Sequence, residues 1–140
     1  MSVYLDANVI VPLFAVDPLN NRAQKALRRL DDSLILSDFS VAEFSSVMAR
    51  RVRMRILRAE EARTAFSNFD IWRARHARLI RIESIDISSA TDLIRRLDLS
   101  LRTPDALHIA LIRRIGCKLL TFDKVLAGVA QALGLEVIKS

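Results

Sequence analysis

Residues 3–8 read Val3-Tyr4-Leu5-Asp6-Ala7-Asn8, a short apolar run that ends abruptly in an acid. Such a run is too short for a helix and apolar on both faces, as expected of a buried parallel strand. Four further runs have this character: Leu34–Leu36, Leu79–Ile82, Leu119–Phe122 and Leu135–Ile138. Helical patterns separate them. Asp17-Pro18 puts a capping residue ahead of a proline, which suits a helix start, and the pattern predicts a helix from there to about Leu30. Further helices are predicted over Phe39 to Arg55, Ala59 to Trp72, Asp86 or Ser88 to Leu97, Thr103 to near Gly116, and Asp123 to near Gly134. Both glycines stand where a helix end favours positive φ. Strands alternating with helices predict an α/β fold, with about five short parallel strands flanked by helices on both faces. The second connection carries two helices, read as an arm. The 140 residues suit one domain spanning positions 1–140.

Composition narrows the functional classes. Apolar residues make up 51% of the chain and charged residues 27%, which excludes a disordered chain. The longest apolar stretch, Val9 to Val16, falls short of the roughly 20 residues that cross a bilayer, and Pro12 interrupts it. No basic segment leads into an apolar one at the start, so the expected location is cytoplasmic with no membrane contact. Cys117 is the sole cysteine, so no internal disulfide forms; it reads as a small buried hydrophobe. The net charge is +6. Between Arg50 and Arg81 ten arginines stand against Glu60, Glu61 and Asp70, a net of +7, so the rest of the chain sums to −1. The planar arginine fork suits phosphate. This segment therefore reads as a surface for nucleic acid or an acidic partner, with Arg50, Arg51, Arg53 and Arg55 as its leading contacts. The alternative is a solvated helix face.

Four acids distant in sequence fall where a strand ends or a helix begins: Asp6, Glu43, Asp105 and Asp123. In an open parallel sheet, ligands bind beyond the carboxyl ends of the strands. Asp6 and Asp123 follow strand runs directly, while Glu43 and Asp105 lie in the first turns of helices that start at that edge. Each has a plain structural reading. Asp6 ends a strand, Glu43 completes a capping box with Ser40, and Asp105 and Asp123 complement helix dipoles. Together they require more, because carboxylates sharing a site repel and a divalent cation relieves that repulsion. Hard cations such as Mg²⁺ or Mn²⁺ prefer such oxygen ligands. Asp38 reads as a helix N-cap. Asn8 and Thr121 read as supporting polar groups, Thr121 sharing a strand face with Asp123. His76 and His108 lack a partner at zinc-ligand spacing; His108, three residues after Asp105, reads as a packing residue. Phe66, Phe69 and Trp72 recur at helical spacing and read as core or a dimer contact.

The Val-Tyr-Leu-Asp-Ala-Asn start, the Ser-x-x-Glu-Phe helix at 40–44, Thr-Pro-Asp-Ala-Leu-His-Ile-Ala at 103–110 and the closing Leu-Leu-Thr-Phe-Asp at 119–123 together resemble a PIN domain, specifically the VapC-type ribonuclease toxins. The resemblance spans essentially the whole chain. It implies a five-stranded parallel sheet, an acidic pocket at one edge, and Mg²⁺- or Mn²⁺-dependent cleavage of RNA phosphodiesters. It also implies a homodimer, and a small antitoxin encoded alongside that neutralises the toxin. Asp6, Glu43, Asp105 and Asp123 match the family's acidic quartet, with Asn8 and Thr121 at its supporting positions. Two other readings stand beside it. A haloacid-dehalogenase-like phosphatase also places an Asp after its first strand, but expects a second Asp where this chain has Asn8, and a lysine for which only Lys124 is near. A non-catalytic module would bind RNA or a partner through the arginines alone.

Overall fold

The computed structural model describes residues 1–140. Along the chain run β1 (Ser2–Leu5), α1 (Ala7–Phe14), α2 (Asn20–Arg28), β2 (Ser33–Ser37), α3 (Asp38–Arg53), α4 (Ala59–His76), β3 (Ala77–Ile80), α5 (Ser84–Arg95), α6 (Thr103–Ile115), β4 (Lys118–Leu120) and α7 (Lys124–Ala132). The four strands form a parallel sheet in the order β3-β2-β1-β4. The run at 135–138 adds one parallel bridge, Leu119 to Val137, and not a full fifth strand. β4 is only three residues long, so its outer edge has backbone for little more than the two bonds made there, Leu119 N to Glu136 O and Ile138 N to Leu119 O.

Alternation along the strands builds a core on each face. Val3 and Leu5 of β1, Leu36 of β2 and Leu120 of β4 point into one cluster with Val9, Ile10, Phe44, Met48 and Phe69. Tyr4, Ile35 and Leu119 point the other way, into a cluster with Ile109, Leu111 and Ile112 of α6 and with Leu126, Val129 and Ala130 of α7. Both faces of the sheet are therefore covered, as the doubly apolar strand runs require. The two-helix connection packs its apolar side on the body, Phe44 and Phe69 both meeting Phe14 of α1 at ring-centroid distances of 6.1 and 5.6 Å, while the turn between the two helices is largely exposed. Phe69 of α4 is buried against Phe44 of α3, their ring centroids 4.4 Å apart, and Ala62 and Ala65 are buried beside it. Eight of the ten arginines between positions 50 and 81 are exposed, six of them on this connection and the other two, Arg78 and Arg81, in and just after β3; Arg51 and Arg73 are half-buried.

Local chemistry moves some expected boundaries. The sequence reading assigns no helix to 7–14, yet α1 runs through Pro12. Proline lacks the N–H that would bond the carbonyl four residues back; its own carbonyl, left without a helical partner at the end of α1, accepts from Asn20 Nδ2 at 2.7 Å. Asp17 forms a tight turn by accepting from Leu19 N at 2.9 Å, so α2 starts at Asn20 and not at Pro18. α6 ends as expected, with Gly116 left-handed at φ 74°. No helix is long and apolar enough to cross a membrane.

Candidate active site

All four quartet acids line one cleft of about 580 Å³ at the carboxyl edge of the sheet, together with Asn8, His108, Arg50, Arg51 and Arg102. Each acid arrives on a different element. Asp6 is the N-cap position of α1 but makes no capping bond; its Oδ2 accepts instead from Thr121 Oγ1 at 2.7 Å. Thr121 is fixed in turn, accepting from Asn8 Nδ2 at 3.1 Å and from Asp123 N at 3.0 Å. Asn8 Oδ1 accepts from Phe122 N at 3.1 Å. The two supporting polar residues thus tie the start of α1 to the end of β4. Asn8 reaches Thr121, not a neighbouring carboxylate.

Glu43 does not close a capping box. Ser37 caps α3, its Oγ accepting from Ser40 N at 2.9 Å, and Ser40 lies inside the first turn. Asp38, expected at the cap, is the first helical residue and accepts from Ile82 N at 3.0 Å. Glu43 Oε1 lies 2.5 Å from His108 Nε2. Asp105 accepts from Arg102 N at 3.2 Å, with Arg102 Nε 3.6 Å away, so it caps α6 while lining the cleft. Asp123 caps α7, Oδ1 accepting from Val125 N at 2.8 Å and Leu126 N at 3.1 Å. The plain readings of Asp105 and Asp123 as helix-end acids hold, and so does their convergence.

The expectation that His108 only packs is corrected. It is 2% exposed, yet its Nε2 lies between Glu43 and Asp6 Oδ1, 3.8 Å from the latter. Ligand atoms of Asp6, Glu43 and His108 lie within 4.8 Å of one another, close enough to hold a metal ion. Asp105 and Asp123 border the cleft outside that tight group. The sequence carried two signals for this arrangement. His108 follows Asp105 by three positions and shares its helix face, and Tyr4 precedes Asp6 by two and shares its strand face. Tyr4 Oη lies 2.6 Å from His108 Nδ1.

The electrostatics are those of crowded anions. Burial pushes the Asp6 carboxyl above its usual range and Glu43 adds to the push; His108 and the Thr121 hydrogen bond oppose it. Burial alone would depress the His108 imidazole, but the bond to Glu43 and the charges of Asp6 and Glu43 outweigh it, so its pKa rises. Burial likewise raises the Tyr4 phenol, which stays protonated. Each acid of the quartet uses one oxygen to be held by the protein: Asp6 Oδ2, Glu43 Oε1, Asp105 Oδ2 and Asp123 Oδ1. The second oxygen of each has no hydrogen bond within the chain, and none of these oxygens is a sealed, unpaired atom; Arg73 Nε is the one such buried group. Four half-free carboxylates on one cleft are a donor set suited to a hard divalent cation.

Of the four arginines named from sequence, Arg50 and Arg51 line the cleft, while Arg53 and Arg55 lie beyond it at the end of α3 and in the following turn. Arg51 is engaged with Asp17 at 2.8 Å. Arg102, not singled out by sequence, borders the cleft and is exposed.

A family model described as the PIN domain matches residues 3–132. This chain belongs to the PIN domain family. This PIN domain is 30% identical over 142 residues to ribonuclease VapC46 of Mycobacterium tuberculosis, a match covering 98% of this chain and 96% of that relative. Among solved structures it is similar to VapC20 of Mycobacterium tuberculosis, described as a toxin cleaving the sarcin-ricin loop, with a TM-score of 0.74 and 16% identity over 91% of this chain and 94% of the other. It is also similar to VapBC2 of Rickettsia felis, solved with a DNA fragment from its promoter, with a TM-score of 0.69 and 16% identity over 99% and 98%. At these identities the structural likeness speaks for the PIN fold.

Proposed function

We propose that this PIN domain is a divalent-metal-dependent endoribonuclease and the toxin of a type II toxin–antitoxin pair. One observation carries the reading: four carboxylates from distant parts of the chain share a cleft, each with one oxygen held and one free. The kinship with a ribonuclease of the VapC group supports the substrate class. Asp6, Glu43, Asp105 and Asp123 would hold Mg²⁺ or Mn²⁺. That cation supplies the charge that activates water and offsets negative charge gathering on the attacked phosphate.

The chain's own residues set the rest. Thr121 and Asn8 hold Asp6 in place, and Asp123 is pinned by the amides of α7. Arg50 and Arg102, exposed on the cleft margin, bind the RNA backbone through phosphate. Arg51 braces the margin through Asp17. Arg53 and Arg55 extend the cationic surface toward more distant phosphates or an acidic partner. Asn8, spent on Thr121 and Phe122, does not serve as the second acid a phosphatase of the haloacid-dehalogenase type would need. The partners of this reading are RNA, a small cognate antitoxin of the kind found in VapBC pairs, and a second copy of the chain in a homodimer. The place of action is the cytoplasm.

The test is incubation of purified, partner-free protein with total cellular RNA, with Mn²⁺ or with chelator, followed by mapping of cut ends. Discrete Mn²⁺-dependent cuts are expected from the wild type, with none from Asp6→Asn or Asp105→Asn at unchanged circular dichroism. Full cleavage by both variants, or cleavage unaffected by chelator, would remove the assignment.

A further inference from the structure

His108 has both ring nitrogens engaged. Nδ1 lies 2.6 Å from Tyr4 Oη and Nε2 lies 2.5 Å from Glu43 Oε1. Tyr4 is fully buried, and its hydroxyl also meets Ser37 Oγ at 2.7 Å and Ser40 Oγ at 3.1 Å. Ser37 is the N-cap of α3, the helix that carries Glu43. The ring plane is set by edge contact with Tyr4, at 5.5 Å between centroids, and by Phe39 at 5.2 Å. β1, the start of α3 and the first turns of α6 are thus tied at a single imidazole.

Proximity places His108 among the atoms that could hold an ion. Its hydrogen bonds argue for a different job. A Glu43 that holds a cation does so as a carboxylate, which only accepts hydrogen bonds, so on that reading the hydrogen in the 2.5 Å His108–Glu43 contact sits on Nε2. A nitrogen that carries this hydrogen has no lone pair to offer a cation. The other nitrogen faces the buried Tyr4 hydroxyl, away from the cleft's open carboxylate oxygens. Glu43 keeps Oε2 for the cleft because Oε1 is the oxygen His108 holds.

We propose that His108 is a positioning residue and not a metal ligand: anchored through Tyr4 to the cap of α3, it fixes Glu43 Oε1 and thereby leaves Oε2 for the cation. This rests on the metal-dependent reading of the cleft. It concerns how the site is held together, independently of which nucleic acid is cut. The effect of His108 on metal affinity passes through Glu43, so it vanishes when Glu43 can no longer accept as a carboxylate.

The experiment measures Mn²⁺ binding to the full-length protein by electron paramagnetic resonance, with electron spin-echo modulation to detect nitrogen bound directly to the ion. Wild type is expected to show no directly coordinated nitrogen. His108→Ala should weaken Mn²⁺ binding about 10–100-fold, and Glu43→Gln, which removes the carboxylate itself, at least as much. The double variant should be no weaker than Glu43→Gln, the non-additivity of residues acting as one unit. His108→Gln, whose side-chain amide can still donate to Glu43, should recover most of the affinity. Tyr4→Phe keeps an aromatic ring in the core and removes only the anchoring hydroxyl, so it provides a second route if His108→Ala does not fold. It should weaken Mn²⁺ binding in the wild-type background and have no effect beside Glu43→Gln. A coordinated-nitrogen signal that disappears in His108→Gln would overturn the proposal, as would losses that add in the double variants or a wild type that binds no Mn²⁺. RNA cutting is not read in any arm, so a protein that behaves as expected here yet cuts no RNA would defeat the nuclease reading and leave the positioning role standing.

Discussion

Asp6 is held at a cost. The residue is 8% exposed, and its carboxyl faces Glu43 and has its pKa raised chiefly by burial. A carboxyl whose folded pKa lies above its unfolded value destabilises the ionised folded state at neutral pH, and that penalty shrinks as pH falls toward the folded pKa. Asp6→Asn removes the charge, keeps the shape, and leaves an oxygen to accept from Thr121. In metal-free protein it should therefore raise the melting temperature by roughly 2–4 °C while abolishing cleavage. Differential scanning calorimetry with chelator present checks this, and an unchanged or lower melting temperature would count against Asp6 as a strained, function-bearing acid. Residues at this scale were partly legible in the sequence. Asp6 and Asp123 announce themselves because each directly follows an apolar strand run. His108 was not recognised, because a histidine inside an apolar helix looks the same whether it fills space or clasps a carboxylate. Only the register of Tyr4 and Asp6 on one strand face and of Asp105 and His108 on one helix face tells them apart.

Among elements, α5 and α6 are joined by a charged clamp. Asp86, 1% exposed, accepts from Arg114 Nε at 2.7 Å and Nη2 at 3.0 Å, and Arg114 also donates to the Arg81 carbonyl at 3.0 Å. Burial alone would raise the Asp86 carboxyl, but the Arg114 bonds and the Glu83 amide hold it below its usual range. A depressed carboxylate contributes stability that is present above its unfolded pKa, about 3.9, and is lost as pH falls through the folded value. Arg114→Met should cost about 2–3 kcal/mol at pH 7, since it strands a buried carboxylate. The gap to wild type should close as pH drops below about 4, where the stranded carboxyl is neutral in the variant. Urea midpoints at several pH values measure it, and a gap independent of pH would mean that lost packing, not charge, sets the cost. Element types were largely readable because the strand runs and helix caps are local signals. Boundaries were less so. Pro12 disguised α1, since a two-turn helix with an internal proline resembles a loop. The run at 135–138 resembled a strand, although its neighbour β4 is too short to pair with it fully.

Across the whole molecule, charge is divided. The acids sit in a cleft with arginines on its margin, and exposed arginines continue beyond it from the end of α3 through the turn into α4, at Arg53, Arg55 and Arg58. Single-stranded RNA bound through phosphates should weaken with salt at a slope of about −0.7 per phosphate neutralised. Replacing Arg50 and Arg102 together by Gln should flatten that slope by about 1.4 and weaken binding to all sequences alike. Fluorescence anisotropy with chelator present, so that nothing is cut, gives the slope; an unchanged slope would place the RNA track elsewhere. The α/β architecture and the existence of an acidic centre were both visible in the linear chain, because strand ends and helix starts share one edge by topology. The folding of the α3–α4 connection against the body was not visible. It depends on Phe44 and Phe69 both meeting Phe14 of α1, contacts between residues that no local pattern pairs.

The distribution of the acids has a practical consequence. The turn between β3 and α5, around 81–83, divides the chain into a front piece with Asp6 and Glu43 and a rear piece with Asp105 and Asp123. Neither piece would own enough of the centre to cut anything, and rejoining them would require β1 to receive β4 again along its open side. A gene severed there should encode two silent halves whose reunion restores RNA cutting, so a cleaved RNA reporter would signal that the two halves had met.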